Sequence, residues 1–484
     1  MDWLNKPAGR AVAAIAAILL TAAGYYISSG LHRMWWPVWI APVPILLLAP
    51  SLRSWQAFAA ALLARALAAA CDYWFYIHNV VNFPVWLTLI TVVVPGLYFG
   101  AGVALYRRLL AADKPWRAAL AFPATVVAGE YLFSLWQGNY FSAGYTQLTD
   151  LPVLQLAALG GLWAITFAVN FLPAGLSAMA FVPAKPRLRM AAGLAVTYAC
   201  VLTYGLLRLH ERLQPAHSVV VGMAEMHASD GSFPQSEPEI MALMQKYASQ
   251  VRPLAERGAR YIVFPEMTAL VPDSESAKVD VLFEKTAREA HTEVLLGLLH
   301  VTGHGNYNEG RLYSATGELE AVYRKHHLVP TWESQSTPGT GMYMQKQDAG
   351  KIGLEICRDM DYSDLARSYG REGAGLMLVP AWDQGLNVDA EGHGHLAIMR
   401  GVEDGFTIAR NAKLGLMTVS DDRGRVLEEK PTNADGSLVT MVATVPVQHD
   451  ATLYQLWGDW FAWVNLAGLG ALAFAAAPSK RAHL

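Results

Sequence analysis

Residues 351–359 read Lys-Ile-Gly-Leu-Glu-Ile-Cys-Arg-Asp. A β-prone apolar run ends there at a cysteine and two charges, and a helical pattern follows over 362–372. The alternation continues on both sides. Strand-like runs lie at 218–223, 261–264, 294–299, 376–379, 406–409 and 416–419, with helical patterns at 237–256, 277–290 and 395–404. Strands and helices in alternation build an α/β layered fold, and the roughly 240 residues from 209 to 452 suffice for one sizeable core. No repeat or low-complexity linker interrupts them, and 435–436 is little more than a turn.

The rest of the chain belongs to a different solvent. Of 484 residues 53% are hydrophobic and only 16% charged. Residues 1–208 hold 18 of the 77 Asp, Glu, Lys and Arg, residues 209–452 hold 56, and three lie beyond. Lipid at both ends and water in the middle are implied. Apolar stretches long enough to cross a bilayer run over 11–29, 34–52, 80–106, 151–184 and 190–207. Three more carry or border charges: 54–77 with Arg65 and Asp72, 118–136 with Glu130, and 460–478 after Asp459. That makes about eight spans: an α-helical bundle of seven over 1–208, and a last helix with a short tail over 453–484. The first is read as a span rather than a cleaved signal peptide, because it is nearly full length and another follows closely. A net charge of −3 and the absence of a Lys/Arg-rich run exclude a nucleic-acid footprint.

With the N-terminus in the cytoplasm, the cytoplasmic segments carry Lys6, Arg10, Arg53, Arg107, Arg108, Lys114, Arg117, Lys185, Arg187, Arg189, Lys480 and Arg481, against Arg33 alone in the short outer loops. The positive-inside rule selects this topology, which places the polar segment on the outer face. Trp35, Trp36 and Trp39, and Trp457, Trp460 and Trp463 beside Tyr454, read as interfacial anchors. Arg65 and Asp72 stand two helical turns apart, so they share a face that points into the bundle, for mutual neutralisation or a lipid headgroup.

Cys71 and Cys200 lie in apolar spans, which leaves Cys357 alone in the polar domain. A lone thiol in a disulfide-permitting compartment is either buried and inert or kept for its reactivity. Its position at a strand-to-helix turn exposes it beside backbone N–H groups able to receive an oxyanion. Glu266 follows the strand Tyr-Ile-Val-Phe and Pro265, and Lys325 ends a run in Val-Tyr-Arg-Lys-His-His-Leu-Val-Pro. Taken singly, each is no more than a charge at a strand end.

Taken together, Glu in Phe-Pro-Glu, Lys in Arg-Lys-His-His-Leu-Val-Pro and Cys in Glu-Ile-Cys resemble, in that order, the Glu-Lys-Cys triad of the nitrilase, or carbon-nitrogen hydrolase, superfamily. Glu333 is similar to its second glutamate. With spans before and after the domain, the chain resembles the apolipoprotein N-acyltransferase family over nearly its full length. Gly-Tyr-Thr-Gln at 144–147, Ala-Trp at 381–382, His395 followed by Met399 and Arg400, and Leu-Tyr-Gln-Leu-Trp-Gly-Asp-Trp at 453–460 add to the likeness. The sequence departs from it at Cys357-Arg358-Asp359 for Cys-Tyr-Glu, Trp382-Asp383-Gln384 for Trp-Phe-Gly, Ala224-Glu225-Met226 for Gln-Gly-Asn, and Pro330-Thr331-Trp332-Glu333 for Pro-Phe-Gly-Glu. These changes surround the expected acyl pocket and spare the triad.

The resemblance implies an αββα sandwich on the periplasmic face of a bacterial inner membrane. It implies an acyl chain moved from a phospholipid to the N-terminal amine of a diacylglyceryl-cysteine lipoprotein, through a thioester on Cys357. Glu266 is then the base and Lys325 the oxyanion partner. Glu333 positions Lys325 or the incoming nucleophile, and Asp359 substitutes in part for the missing glutamate. Arg358, Trp382 and His395 support the site, and an unpaired lysine would favour thiolate. No cofactor and no metal are expected: zinc sites use residues such as His326 and His327, His393 and His395, or His300 and His304 at i, i+4, but no Cys pair or His-Glu-x-x-His pattern accompanies them; the chain is expected to act as a monomer. The other readings are a membrane-anchored amidase or nitrilase acting on a small amide, and a non-catalytic or transport-related membrane protein.

Overall fold

The computed structural model describes residues 7–29, 34–211, 217–227, 233–234, 236–383 and 390–475. Lys6, Arg33, Gln384, Lys480, Arg481 and the side chain of His393 lie outside the described residues, as does most of the 383–394 loop. The chain divides into two compact units, 1–210 with 457–484, and 211–456.

The first unit is helical. Its elements are α1 (Pro7–Ser28), α2 (Val43–Leu48), α3 (Ser54–Phe75), α4 (Val85–Ala111), α5 (Pro115–Gln137), α6 (Leu151–Leu154), α7 (Ala157–Met179) and α8 (Ala184–His210), with a closing helix Trp460–Ala475. Six of these helices are long and apolar enough to cross a membrane. The stretch 34–52 is instead a chain of short helical turns, because Pro37, Pro42, Pro44 and Pro50 remove donors and break the ladder. The stretch 151–184 divides at 155–156, and α7 kinks where Gly161 takes φ +67°.

Arg65 and Asp72 are both buried, as their shared face requires, and Arg65 lies 4.9 Å over the ring of Tyr25. No direct ion pair joins Arg65 to Asp72 among the described residues, so mutual neutralisation by contact does not occur. Glu130 is a structural anchor, accepting hydrogen bonds from the Ala143 N–H at 3.0 Å and the Thr166 hydroxyl at 2.9 Å. Those bonds hold the Gly-Tyr-Thr-Gln turn, whose Gln147 bonds Trp39 Nε1 at 3.0 Å.

The second unit is built on two sheets. Its strands are β1 (His217–Glu225), β2 (Tyr261–Val263), β3 (Leu270–Pro272), β4 (Glu293–Thr302), β5 (Gly305–Tyr313), β6 (Leu319–Arg324), β7 (Met344–Gln347), β8 (Gly350–Leu354), β9 (Leu376–Trp382), β10 (Thr407–Lys413), β11 (Leu416–Ser420), β12 (Val426–Pro431) and β13 (Val439–Val447). One sheet runs β13-β1-β2-β4-β5-β6, with β3 on β4, and the other β12-β11-β10-β9-β8-β7. The central pairs β1–β2, β2–β4, β8–β9 and β9–β10 are parallel. Helices α9 (Glu237–Glu256) and α10 (Asp273–Ala290) cover the first sheet, and α11 (Ser363–Arg371) and α12 (Ala390–Asp404) the second. Period-two alternation sorts the layers. Val221, Met223, Tyr261, Val263 and Leu295 enter the core between the sheets, whereas Ala224, Ile262, Phe264, Val294 and Leu296 pack under α9 and α10. The result is the αββα sandwich of the nitrilase fold.

Candidate active site

Parallel strands end together, so the residues just past their C-terminal ends collect at one edge of the sandwich. Glu266 follows β2, and its N–H donates to the Ala381 carbonyl of β9 at 3.2 Å. Gly297 makes room for that turn: a Cβ there would lie 2.3 Å from the Pro265 carbonyl oxygen. Lys325 follows β6, anchored by its N–H to the Asn308 carbonyl at 2.9 Å. Cys357 follows β8 with φ +47°, a left-handed conformation that costs a non-glycine residue about 1–2 kcal/mol. That turn lifts the side chain off the sheet, and the helical turn Cys357–Asp361 begins at it.

Lys325 Nζ donates to Glu266 Oε1 at 2.7 Å and to Glu333 Oε2 at 2.8 Å. Asn308 Nδ2 bridges the same two carboxylates, at 2.6 Å to each, and the Val329 N–H adds a bond of 2.8 Å to Glu333. None of these four side chains belongs to a residue more than 4% exposed. Cys357 is partly accessible, its Sγ 3.6 Å from the Trp382 carbonyl oxygen, and it is close enough to Glu266 and Lys325 to feel both charges.

Burial pushes the Cys357 thiol well above its usual range, Glu266 pushes it further, and Lys325 opposes them without prevailing. The expectation of an unpaired lysine is therefore corrected. Lys325 is committed to two carboxylates, and the resting sulfur is a thiol. Burial by itself would depress Lys325, but Glu266, Glu333 and Cys357 hold it well above the ordinary lysine value. Burial raises the Glu266 carboxyl despite Lys325, which suits it to receive a proton.

The supporting residues divide. Asp359 is fully buried and both its oxygens are occupied. One accepts from the His326 and His327 N–H groups at 3.1 and 2.8 Å, the other from the Tyr323 hydroxyl at 2.7 Å and the Ile356 N–H at 3.2 Å. Asp359 thus pins the turn that begins at Cys357 to the segment after Lys325. Arg358 lies over the Tyr362 ring and donates to the Leu328 carbonyl. Trp382 packs edge-on to Trp332 at 5.8 Å and Phe233 at 5.7 Å. His395 pairs with Glu429 of β12. His326 stacks on Tyr323 and His327 on Tyr362.

Two members of the site were not foreseen. Asn308 sits in β5, whose Gly-Asn-Tyr-Asn-Glu-Gly-Arg sequence reads as a polar loop. Asp383, which in sequence is only a departure from the family pattern, is buried in a bidentate pair with Arg410, with one bond of 3.0 Å, and both charges act on the thiol. An aspartate where an aromatic residue is expected was itself the signal that a partner was buried nearby. Asn308→Ala is expected to lower kcat about tenfold and to reduce stability by about 1–3 kcal/mol, because two buried carboxylates lose a donor. Steady-state kinetics and thermal inactivation measure the two effects; unchanged kcat would remove Asn308 from the site.

A family model described as carbon-nitrogen hydrolase matches residues 223–449, and one described as the apolipoprotein N-acyltransferase N-terminal domain matches residues 12–175. An apolipoprotein N-acyltransferase of Geobacter metallireducens is 23% identical, the alignment covering 98% of this chain and 96% of that protein. One from Nitrosomonas europaea is 24% identical, covering 87% and 88%. Among solved structures, an amidase from Nesterenkonia sp. is 20% identical over 50% of this chain and 96% of its own, with a TM-score of 0.41.

Proposed function

From the premise that this chain belongs to the apolipoprotein N-acyltransferase family, a multi-pass bacterial membrane enzyme of lipoprotein biosynthesis with a nitrilase-type domain, we propose that it transfers acyl groups through a thioester on Cys357. The reading that goes with it puts the catalytic domain on the periplasmic side, as the distribution of basic residues argues. A phospholipid is the donor, and the N-terminal amine of a diacylglyceryl-cysteine is the acceptor.

Glu266 accepts the thiol proton as Cys357 Sγ attacks the ester carbonyl. Once protonated, Glu266 releases its electrostatic hold on Lys325, whose charge becomes available to the developing oxyanion. Lys325 and the Arg358 N–H together stabilise that oxyanion, each donor worth about 3 kcal/mol. The carbon–oxygen bond breaks, Glu266 protonates the departing glycerol oxygen, and a lysophospholipid leaves. The acceptor amine then attacks the thioester carbonyl and gives its proton to Glu266. The carbon–sulfur bond breaks, and the thiolate recovers the proton from Glu266 as the amide departs. Glu333 keeps Lys325 in place throughout.

The observation that most supports this reading is the buried contact of Lys325 with Glu266 and Glu333 beside a thiol under the influence of both Glu266 and Lys325. Membrane tethering is consistent with it, because drawing a two-chain lipid into water costs about 0.8 kcal/mol per methylene. Incubating the purified enzyme with phospholipid and no acceptor is expected to add one acyl mass to the peptide containing Cys357. A diacylglyceryl-cysteinyl peptide should then discharge it. Turnover with Cys357 never acylated, or ammonia release from a small amide with no lipid reaction, would overturn the proposal.

A further inference from the structure

Lys413 closes β10, and in the parallel register it lies beside Trp382 of β9, whose carbonyl oxygen is the neighbour of the Cys357 thiol. Lys413 is 2% exposed. Its ammonium stands 4.1 Å from the centre of the Trp382 ring and 4.9 Å from that of Phe233. Among the described residues no acceptor lies within hydrogen-bond distance of it, and Glu225 and Glu266 act on it only at longer range. The indole Nε1 of Trp382 is likewise buried without an acceptor among those residues. Glu225 holds His227 at 2.6 Å through Oε1, while its buried Oε2 has no hydrogen-bond partner among the described residues and acts on Lys413 only at longer range.

Two buried donors on adjacent strands, neither with an acceptor within hydrogen-bond distance among the described residues, carry a desolvation cost that a ligand's acceptor would relieve. A cation over an aromatic face gains from that face, but the gain is small beside the desolvation of an ammonium. Burial prevails here over the two distant carboxylates and lowers Lys413 to about 8, and an anion docked against its ammonium would oppose that lowering. The ligand chemistry is thus an anionic oxygen acceptor held close to the sulfur. In a glycerophospholipid the phosphate is tied to the reacting ester carbonyl by a short glycerol chain, so a carbonyl at Cys357 carries its phosphate into this neighbourhood.

Resting on the phospholipid-donor reading above, we propose that Lys413, with the indole N–H of Trp382, forms the subsite that holds the phosphate of the acyl donor. The subsite selects donors that carry a phosphate and orients the ester toward Cys357. It takes no part in bond making or breaking.

The test compares two donors on the full-length enzyme: dipalmitoyl phosphatidylglycerol in mixed micelles, and p-nitrophenyl palmitate, which has an ester and no phosphate. Lys413→Met keeps the aliphatic stem on Trp382 and removes the charge; Lys413→Arg keeps the charge. Acylation of Cys357 by the phospholipid is expected to fall 10- to 100-fold in kcat/KM for Lys413→Met, mainly through KM, while acylation by p-nitrophenyl palmitate stays within twofold. Lys413→Arg is expected to stay within about fivefold of wild type on the phospholipid. An undiminished reaction of Lys413→Met with the phospholipid overturns the subsite. So does an equal loss on both donors shared by Lys413→Arg, since a packing or chemical role would do that. Wild-type enzyme that takes palmitate from the p-nitrophenyl ester but never from phospholipid would instead strike the underlying donor reading, a separate result.

Discussion

Cys357→Ala is expected to abolish acyl transfer, with a loss of at least about 10⁴-fold, because among the described residues lining the site Cys357 is the nucleophile that forms the proposed covalent intermediate. Fold should survive. Cys357 is partly accessible and only packs against the edge of the core, so thermal inactivation of the variant should shift by no more than about 1 kcal/mol equivalent. Cys357→Ser should also be severely impaired. A hydroxyl holds its proton more tightly than a thiol, and the same buried surroundings that raise the thiol would make an alkoxide costlier still. Intact-mass analysis after exposure to phospholipid separates the cases: wild type gains an acyl mass, and Cys357→Ala gains none. More than a tenth of wild-type turnover in Cys357→Ala would dismiss the thioester route.

Lys325→Met carries the second large effect, and it acts on two quantities at once. Chemically it removes an oxyanion partner, a loss of about 10²–10³ in kcat. Structurally it leaves Glu266 and Glu333 buried with only Asn308 and the Val329 N–H to satisfy them, a penalty of about 3–5 kcal/mol for an uncompensated buried charge. The carboxylates should respond by retaining a proton to higher pH, and one proton shared between them would spare part of the penalty. A double variant, Lys325→Met with Glu333→Gln, should recover much of the stability and none of the activity. Thermal inactivation and single-turnover acylation measured on the same preparations distinguish the two contributions. A Lys325→Met enzyme with wild-type acylation would refute the assignment of Lys325 to the oxyanion.

Sequence patterns reached most of the central framework. Parallel strands buried on both faces carry near-continuous apolar runs, as in Leu-Met-Leu-Val at 376–379, and these stand out without any structure. Helix α9 was marked by its periodic apolar positions and runs over Glu237–Glu256 as the pattern predicts. Peripheral strands were missed for definable reasons. In β5 the buried Glu309 and Arg311 neutralise one another at 2.9 Å, so a strand interior looks like a charged loop. In β12 every residue is exposed and the sequence Val-Leu-Glu-Glu-Lys-Pro has no inward face to betray it. In β13 the alternation is present, but Pro446 argues against a strand until its place at the sheet edge is known.

At the site the division is sharper. The amino-acid sequence by itself determined that the chain serves two solvents, that a single thiol stands alone in the polar one, and that a glutamate, a lysine and that cysteine follow strand ends in a recognisable order. These are one-dimensional properties: hydropathy, composition and spacing. Only the tertiary structure decided that Lys325 is shared by two carboxylates, that Asp359 is a pin between two segments, that Asn308 and the Asp383–Arg410 pair belong to the site, and that Lys413 lacks an acceptor among the described residues. Each of those depends on which charges approach within a few ångströms and how far water is excluded from them. Coulombic attraction and desolvation depend on distance in space, and residues 266, 308, 325, 333 and 357 become neighbours only when the sheets close over them.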